Sequence, residues 1–274
     1  MKAGIYLRNM GPQSERSMLL ACAQAAEDAG LDDLFVADHI AIPPDDAEGS
    51  GGRYLDPLAT LAFLAGATRR IGLGTGVLVL PYRPPLATAK WVATIQELSG
   101  GRLRLGVGAG WMAAEFRAVG VPRERRGRIT DATLAFLREC FARDEVERNG
   151  QRFLFLPRPE RPPILVGGAP PHALRRAIEY GDAWMPTGGD VGRLREAVDE
   201  LRSLAAAAGK PTPDVVLVTS LPLGDEERTA EKIGELAAIG VSEVVHGWRY
   251  GSVEEFTDAA RTLARIVQQA APQA

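Results

Sequence analysis

The sequence is poor in the residues that build metal centres and disulfide frameworks. Its 274 residues include only two cysteines and three histidines. Cys22 and Cys140 lack the C-x-x-C spacing of a zinc or redox site, so we expect free thiols in a reducing, cytoplasmic compartment, with a disulfide between them as the alternative. The histidines lack metal-ligand spacing and no carboxylates cluster with them in the sequence. We therefore predict no metal site.

An excess of positive charge and long apolar runs are also absent. The formal net charge is −3, and a nucleic-acid partner would require a basic face, so we expect none. No apolar stretch approaches the roughly 18 residues that span a bilayer. Arg8 interrupts the first apolar run, so we expect neither a membrane segment nor a signal peptide. Hydrophobic residues make up 46% and charged residues 24% of the chain, as is typical of a globular domain.

Strand-like and helix-like segments alternate along the chain. Eight short apolar runs, each followed by a helix-like segment, are predicted strands: 3–7, 31–38, 70–81, 102–110, 162–168, 182–186, 214–222 and 241–247. Parallel strands that are covered by helices are apolar on both faces, and this alternation predicts a parallel sheet. We predict one α/β domain over 1–274, a (β/α)₈ TIM barrel rather than an open doubly wound sheet.

Smaller features modify this barrel. Asn149-Gly150 lies between alternating polar and apolar residues, which predicts an inserted hairpin segment over 144–160, after the fourth strand. Ser14 is predicted to cap the first helix. Residues 45–53 form a loop long enough to be a lid, and residues 270–274 are expected to be a frayed tail.

Asp38 and His39 follow the second predicted strand. In such a barrel the active site lies at the carboxyl ends of the strands, and histidine is the side chain most easily tuned for proton transfer near pH 7. The alternative is structural, because an aspartate can cap a turn and a histidine can fill a niche. The position at the strand end favours chemistry.

Glycine-rich segments follow the fourth and fifth strands. GVGAGW, 106–111, is not the dinucleotide fingerprint because Trp111 stands where a glycine is needed. These glycines either ease tight turns or allow close approach to a large flat or phosphorylated ligand. Gly167-Gly168, followed by two prolines and a helix start, predicts a phosphate seat at a helix N-terminus. The arginine run over 123–128 is typical of a solvated face, although one arginine could reach an anionic ligand.

Several of these segments together resemble the luciferase-like monooxygenase family, in particular its branch that uses the deazaflavin coenzyme F-420. They are VADHI (36–40), RYLDPLATLAFLAGATRRIGLGTGVLVLPYRPP (53–85), LSGGRLRLGVGAGWMAAEF (98–116), GVPRERRGR (120–128), PPILVGGAPPHALRRAIEYGDAWMP (162–186) and, more weakly, AAIGVSEVV (237–245). The resemblance covers most of residues 1–186 and thins after them.

The resemblance implies a flavin-type ring at the carboxyl mouth of the barrel. It implies that Asp38 and His39 lie beside the ring. Gly76-Val77 would form a bulge behind it, often with a non-prolyl cis peptide. The segments Gly108-Ala109-Gly110 and Gly167-Gly168 would donate backbone hydrogen bonds to the cofactor's tail and phosphate.

One departure from the family pattern concerns the substrate. Where sugar-phosphate dehydrogenases of the family have a glutamate that acts as an acid, this sequence has Trp111, so we do not expect a sugar phosphate. Trp111 and Trp184, with Tyr82 after the third strand, instead predict an aromatic substrate pocket.

Three hypotheses follow. The leading one is an F-420-dependent oxidoreductase that exchanges hydride with a small organic substrate, in which His39 handles the accompanying proton and Asp38 keeps the surroundings of the ring polar. The first alternative is an FMN-dependent two-component monooxygenase that receives reduced flavin from a separate reductase. The second is a non-catalytic flavin-binding barrel. The resemblance also implies a homodimer and a cofactor-reducing enzyme that acts through diffusible cofactor.

Overall fold

The structure is a computed structural model that describes residues 1–270. The strands are β1 (Lys2–Tyr6), β2 (Asp33–Val36), β3 (Gly72–Thr75), β4 (Leu78–Val79), β5 (Leu103–Gly108), β6 (Glu145–Arg148), β7 (Gln151–Leu154), β8 (Ile164–Gly167), β9 (Ala183–Met185), β10 (Asp214–Thr219) and β11 (Glu243–His246). The helices are α1 (Arg16–Asp28), α2 (Pro57–Ala67), α3 (Pro85–Leu98), α4 (Ala113–Ala118), α5 (Arg126–Ala142), α6 (His172–Tyr180), α7 (Val191–Ala207), α8 (Glu226–Ile239) and α9 (Val253–Ala270). Helix α9 includes Ala270, and the rest of the predicted tail lies outside the described residues.

The parallel strands close into a barrel, as predicted. Their order is β3-β2-β1-β11-β10-β9-β8-β5-β4, and the additional β3–β5 pairing closes the sheet. Because β3 and β4 are two segments of one barrel position, the closed sheet has eight positions with helices around it. The carboxyl ends of all these strands therefore meet at one mouth of the barrel.

The third barrel position is interrupted, although the sequence predicts one strand over 70–81. Leu73 pairs with Leu103, and Leu78 pairs with Val107. The third position therefore uses one more residue than β5 over the same length, which is a β-bulge. The bulge lies at Gly76-Val77, whose peptide bond is cis, as the family resemblance implied.

The inserted hairpin is confirmed between α5 and β8. Strands β6 and β7 pair antiparallel, with Arg148 opposite Gln151. Asn149 and Gly150 both have positive φ, 53° and 77°, as a two-residue type I′ turn requires.

The predicted Ser14 cap is wrong. Helix α1 begins at Arg16 with Glu15 at the N-cap. The Ser14 hydroxyl donates to the Gly11 carbonyl and accepts from Arg53 Nε at 2.7 Å. The Ser14 side chain therefore bonds to Arg53, which is distant in the sequence, instead of capping the helix. The same contact fixes the end of the 45–53 loop.

Apolar side chains fill the middle of the barrel, but the layer at its amino end is charged. Phe35, Met185 and Val245 belong to the interior cluster. Below them lie the buried carboxyl groups of Asp33 and Glu243, both in contact with Arg104. The expectation of apolar faces throughout is therefore wrong at this end of the barrel.

The remaining composition-based expectations concern thiols, metals and membranes. Cys22 and Cys140 are buried and free, as predicted. Residues 1–270 contain no group of three or more side chains suited to hold a metal ion. Within the same residues, no helix combines the length and apolarity needed to cross a bilayer.

Candidate active site

A cavity of about 490 Å³ opens at the carboxyl mouth of the barrel. It brings together most of the side chains and glycines that the sequence predicts for the site: Asp38, His39, Gly76, Val77, Tyr82, Gly108, Ala109, Gly110, Trp111, Gly167 and Gly168. A groove of similar volume, about 500 Å³, lies between α1 and α9. That groove is on the outside of the barrel, away from the strand ends, so the mouth cavity is the candidate active site.

Asp38 lies beneath the cavity in a buried ion pair. Its Oδ2 accepts from Arg83 Nη1 at 2.6 Å and from the Val79 amide at 2.8 Å, and its Oδ1 accepts from Arg83 Nη2 at 2.9 Å. Burial alone would lower the pKa of Arg83, but Asp38 raises it above its ordinary value. Both carboxylate oxygens are thus occupied, and Asp38 is better placed to fix charge and geometry than to exchange protons.

His39 presents its imidazole to the cavity and is held from behind by a carboxylate. Its Nδ1 lies 3.0 Å from Glu115 Oε2, and a fifth of the side chain (20%) is exposed. Tyr54 and Trp111 flank the ring at centroid distances of 4.9 and 6.2 Å. The expectation that no carboxylate clusters with a histidine is wrong, because α4 places Glu115 beside His39 at the end of β2.

Glu115 is almost fully buried, at 1% exposed, and it accepts hydrogen bonds on both oxygens. Oε1 accepts from the amides of Ile40 at 2.6 Å and Ala41 at 3.1 Å, and Oε2 accepts from His39 and from Tyr82 Oη at 2.9 Å. Burial alone would raise the pKa of Glu115, but the hydrogen bonds from His39, Ala41 and Ile40 lower it to about 2. Glu115 is therefore ionised at neutral pH.

Sequence reasoning missed Glu115, although the residue lies in a segment already singled out for its glycines. The pattern that could have revealed it is a lone carboxylate in WMAAEF, an otherwise apolar stretch directly after the fourth strand. A buried carboxylate there requires donors, and the polar end of β2 supplies them.

The predicted aromatic residues occupy three different positions. Tyr82 is in the cavity wall, and burial followed by its hydrogen bond to Glu115 raises its pKa, so the phenol stays protonated. Trp111 stands at the rim, 67% exposed. Trp184 is buried and does not line the mouth cavity. Its Nε1 donates to the Gly168 carbonyl at 2.9 Å, and it borders an adjoining cavity of about 430 Å³.

Glycines make room for Val77 in the floor of the cavity. A Cβ on Gly108 would lie 2.6 Å from Val77 Cγ2, and a Cβ on Gly167 would lie 2.6 Å from Val77 Cγ1. Real Cβ atoms do not approach other carbons so closely, so these two positions admit only glycine while Val77 stays in place. The glycine pattern thus serves a specific bulge as well as turn geometry.

Basic side chains line the cavity toward the fifth barrel position. They are Arg126 at the start of α5 and, on the first turns of α6, His172 and Arg176. Arg176 is oriented by Asp131, whose Oδ1 lies 2.6 Å from its Nε. Guanidinium groups beside a helix N-terminus favour anion binding, and the residues of the predicted phosphate seat line the same cavity as His39.

His246 does not line the mouth cavity, although the sequence places it at a strand end. It is buried between the barrel and the outer helices, where its Nδ1 accepts from the Leu221 amide at 3.0 Å and its ring stacks near Trp248. Burial lowers the pKa of His246 to about 4. It is therefore neutral at pH 7 and has a packing role.

The fold and cavity define a (β/α)₈ barrel whose candidate active site lies at the carboxyl ends of the strands. The family description luciferase-like monooxygenase matches residues 3–272, so the chain belongs to the luciferase-like monooxygenase family.

Relatives within this family use two different cofactors. An F420-dependent hydroxymycolic acid dehydrogenase of Mycobacterium tuberculosis is 31% identical over 219 residues, covering 76% of this chain and 59% of that protein. An FMNH(2)-dependent dimethylsulfone monooxygenase of Pseudomonas putida is 29% identical over 197 residues, covering 68% and 54%. The structure of an F420-dependent secondary alcohol dehydrogenase superposes with a TM-score of 0.82 at 18% identity, covering 97% of this chain and 98% of that one. Homologues thus use either a deazaflavin or a flavin.

Proposed function

We propose that this protein is a coenzyme F-420-dependent oxidoreductase that exchanges hydride with a small organic substrate other than a sugar phosphate. The observation that carries the proposal is the pairing of His39 with a buried carboxylate at the edge of the mouth cavity. The same cavity contains the bulge at Val77, packed between Gly108 and Gly167, and the basic side chains of the proposed phosphate seat. Together these features accommodate a flat ring, its phosphate and a proton-exchanging side chain.

The residues present fit a deazaflavin or flavin. Val77 lines the cavity and packs its methyl groups against Gly108 and Gly167, which offers an apolar surface for a ring to lie on. Arg126, His172 and Arg176 form the seat for its phosphate. When bound, a deazaflavin supplies reversible hydride transfer and reacts poorly with oxygen, while the protein supplies position and electrostatics.

His39 carries the proton half of the reaction. Oxidation of an alcohol removes a hydride from carbon and a proton from oxygen, and we assign that proton to the His39 imidazole. The charge that His39 then carries lies against the ionised Glu115 carboxylate. In the reverse direction, the imidazolium returns the proton to the oxygen of a carbonyl substrate. Asp38, fixed by Arg83, keeps the surroundings of the ring polar.

The absence of a carboxylic acid at position 111 supports the exclusion of sugar phosphates. Trp111 stands at the rim in its place and presents an apolar surface beside His39. With Tyr82 in the wall, this favours a substrate with an apolar body next to its reacting carbon. We propose that Trp184 contributes to the substrate pocket only through the adjoining cavity that it borders.

The alternative is an FMN-dependent two-component monooxygenase, favoured by the dimethylsulfone monooxygenase relative. Parallel spectral titrations with F-420, FMN and riboflavin separate the two. We expect tight F-420 binding, weaker FMN binding and the weakest binding for riboflavin, which lacks the phosphate. Oxygen uptake with reduced FMN, without turnover of F-420, would establish the monooxygenase instead. Tight binding of both cofactors, with no turnover of alcohols or carbonyl compounds, would point to a non-catalytic barrel.

We further propose a homodimer, and supply of reduced cofactor by a separate enzyme through diffusion. Light scattering coupled to size-exclusion chromatography measures the first directly, with a mass near twice that of the 29.4 kDa chain expected. A monomer at micromolar concentration would contradict it.

A further inference from the structure

The Glu115 carboxylate receives four hydrogen bonds whose directions are constrained. Two come from the backbone amides of Ile40 and Ala41, which can only donate. The other two partners, His39 Nδ1 and Tyr82 Oη, meet Oε2 at 3.0 and 2.9 Å. An ionised carboxylate only accepts hydrogen bonds. Both side chains must therefore donate, so the hydrogens on His39 Nδ1 and Tyr82 Oη point toward Glu115.

We propose that Glu115 is a positioning residue that fixes His39 in the Nδ1–H tautomer and leaves Nε2 as the atom that exchanges protons with substrate. The part of this inference that concerns the reaction rests on the proposed function, whereas the tautomer itself does not. Within residues 1–270 no group hydrogen-bonds to Nε2, and the imidazole lines the mouth cavity.

The tautomer decides what His39 can do. With hydrogen on Nδ1, neutral His39 presents a lone pair at Nε2 and accepts the proton of a substrate hydroxyl. The resulting imidazolium is stabilised by Glu115, in the way that a carboxylate orients and stabilises a catalytic histidine elsewhere. Tyr82 gives its only hydrogen to Glu115, so it supplies no proton to the cavity. Proton exchange at this edge is thus confined to one atom.

The substitution Glu115→Gln tests the tautomer because it nearly preserves shape while reversing one donor–acceptor direction. The fixed amides of Ile40 and Ala41 require the glutamine oxygen on their side. The amide nitrogen then faces His39 Nδ1 and Tyr82 Oη and can only donate. His39 Nδ1 must then accept a hydrogen bond from this amide, so the ring hydrogen moves to Nε2. The neutral ring then has no lone pair at Nε2 with which to accept the substrate proton.

Nitrogen-15 NMR of protein labelled in its histidine rings measures the tautomer without cofactor or substrate. The chain has three histidines, and His39→Asn identifies the signals of His39 by their loss. We expect a protonated Nδ1 and an unprotonated Nε2 in the neutral ring of the wild type, and the reverse in Glu115→Gln. A protonated Nε2 in the wild-type neutral ring would overturn the proposal, even if the variant failed to fold.

Steady-state kinetics supply the second readout. If Glu115 sets the tautomer, Glu115→Gln lowers kcat by roughly 10²- to 10⁴-fold with little change in KM, as a wrong tautomer does in hydrolytic triads. Tyr82→Phe keeps the carboxylate, so we expect it to retain the Nδ1–H tautomer. The matched control is Glu97→Gln on the exposed face of α3, which should match wild type in both readouts.

The two proposals fail in distinguishable ways. If the NMR tautomer is as expected but F-420 neither binds nor turns over, the proposed cofactor is wrong and the Glu115–His39 relationship stands. If turnover with F-420 is found and Glu115→Gln keeps wild-type kcat, the positioning role is wrong and the proposed function stands.

Discussion

Asp38 and Arg83 form a bidentate ion pair directly beneath the candidate active site. The two guanidinium nitrogens lie 2.6 and 2.9 Å from the two carboxylate oxygens. Arg83 also binds Asp56, the residue that caps α2, at 2.7 Å. This links the end of β2, the third barrel position and the start of α2 through one side chain, so the geometry of the site depends on a buried charge pair.

Asp38→Asn should destabilise the protein. Removing one charge leaves Arg83 without its main partner, and breaking a buried pair in this way costs about 3–5 kcal/mol. Denaturant unfolding monitored by circular dichroism measures the loss. Glu226→Gln breaks an exposed pair with Arg265 and should leave the unfolding midpoint unchanged. Equal midpoints for Asp38→Asn and wild type would show that the buried pair contributes no net stability.

His39→Ala should lower turnover far more than cofactor affinity. Loss of a positioned proton-exchanging group reduces the rate by about 10²- to 10⁴-fold, whereas the substitution leaves the proposed ring and phosphate sites unchanged. The measurement is kcat with F-420 beside a spectral titration of the same variant. Wild-type turnover in this variant would remove His39 from the mechanism.

Gly167→Ala should impair cofactor binding because its Cβ would meet Val77 Cγ1 at 2.6 Å. Relieving such overpacking costs about 1–3 kcal/mol, and we expect the displaced Val77 to obstruct the floor of the cavity. Cofactor affinity should fall by roughly ten- to a hundredfold in the spectral titration. Gly234→Ala lies in the middle of α8 on its exposed face, where the new Cβ would meet no atom within 4 Å apart from the helix's own backbone and its chain neighbours. This variant should bind cofactor normally and be stabilised by up to about 1 kcal/mol. Unchanged affinity in Gly167→Ala would argue against the cofactor lying on Val77.

The charged layer at the amino end of the barrel should make stability depend on pH. Burial, and then the neighbouring Asp33, raise the pKa of Glu243 to about 8, with Arg104 opposing them. Because the folded state binds this proton more tightly than the unfolded chain, the contribution is complete below about pH 4.5 and is lost as pH rises toward 8.

Glu243→Gln should flatten this dependence. The amide replaces the proton-bearing carboxyl and can still accept from Arg104, so the slope should decrease by up to about 1.4 kcal/mol per pH unit. Free energies of unfolding of variant and wild type between pH 6.5 and 8 test this, because the histidines contribute equally to both profiles and cancel in the comparison. Parallel profiles for variant and wild type would refute the assignment to Glu243.

Much of the barrel was predictable because its determinants are local. Apolar runs and turn residues recur along the chain, and Asn149-Gly150 has the positive φ angles that its hairpin needs. The bulge at Gly76-Val77 was not visible in the apolar pattern of 70–81, and only the family resemblance pointed to it. Ser14 failed as a cap because its partner, Arg53, is distant in the chain.

The candidate site, like the barrel, was predictable from the sequence only in part. His39 and most of the glycines were identified because each follows a strand, and strand ends converge in a parallel barrel. Glu115 was missed because its role depends on a contact with His39, 76 residues away in the sequence. Trp184 was predicted to line the pocket, but its indole donates to the Gly168 carbonyl and lies outside the mouth cavity. Which way a side chain points at a strand end is set by neighbours from other strands.

The sequence by itself determined the alternation of strands and helices, the family and most of the residues at the barrel mouth, because these depend on periodicity and short motifs. Only the tertiary structure decided which of those residues act together. It paired Asp38 with Arg83, placed the buried Glu115 behind His39 and put Val77 between two glycines. Hydrogen-bond direction and close packing require atoms brought together in space, and spacing along the chain does not contain them.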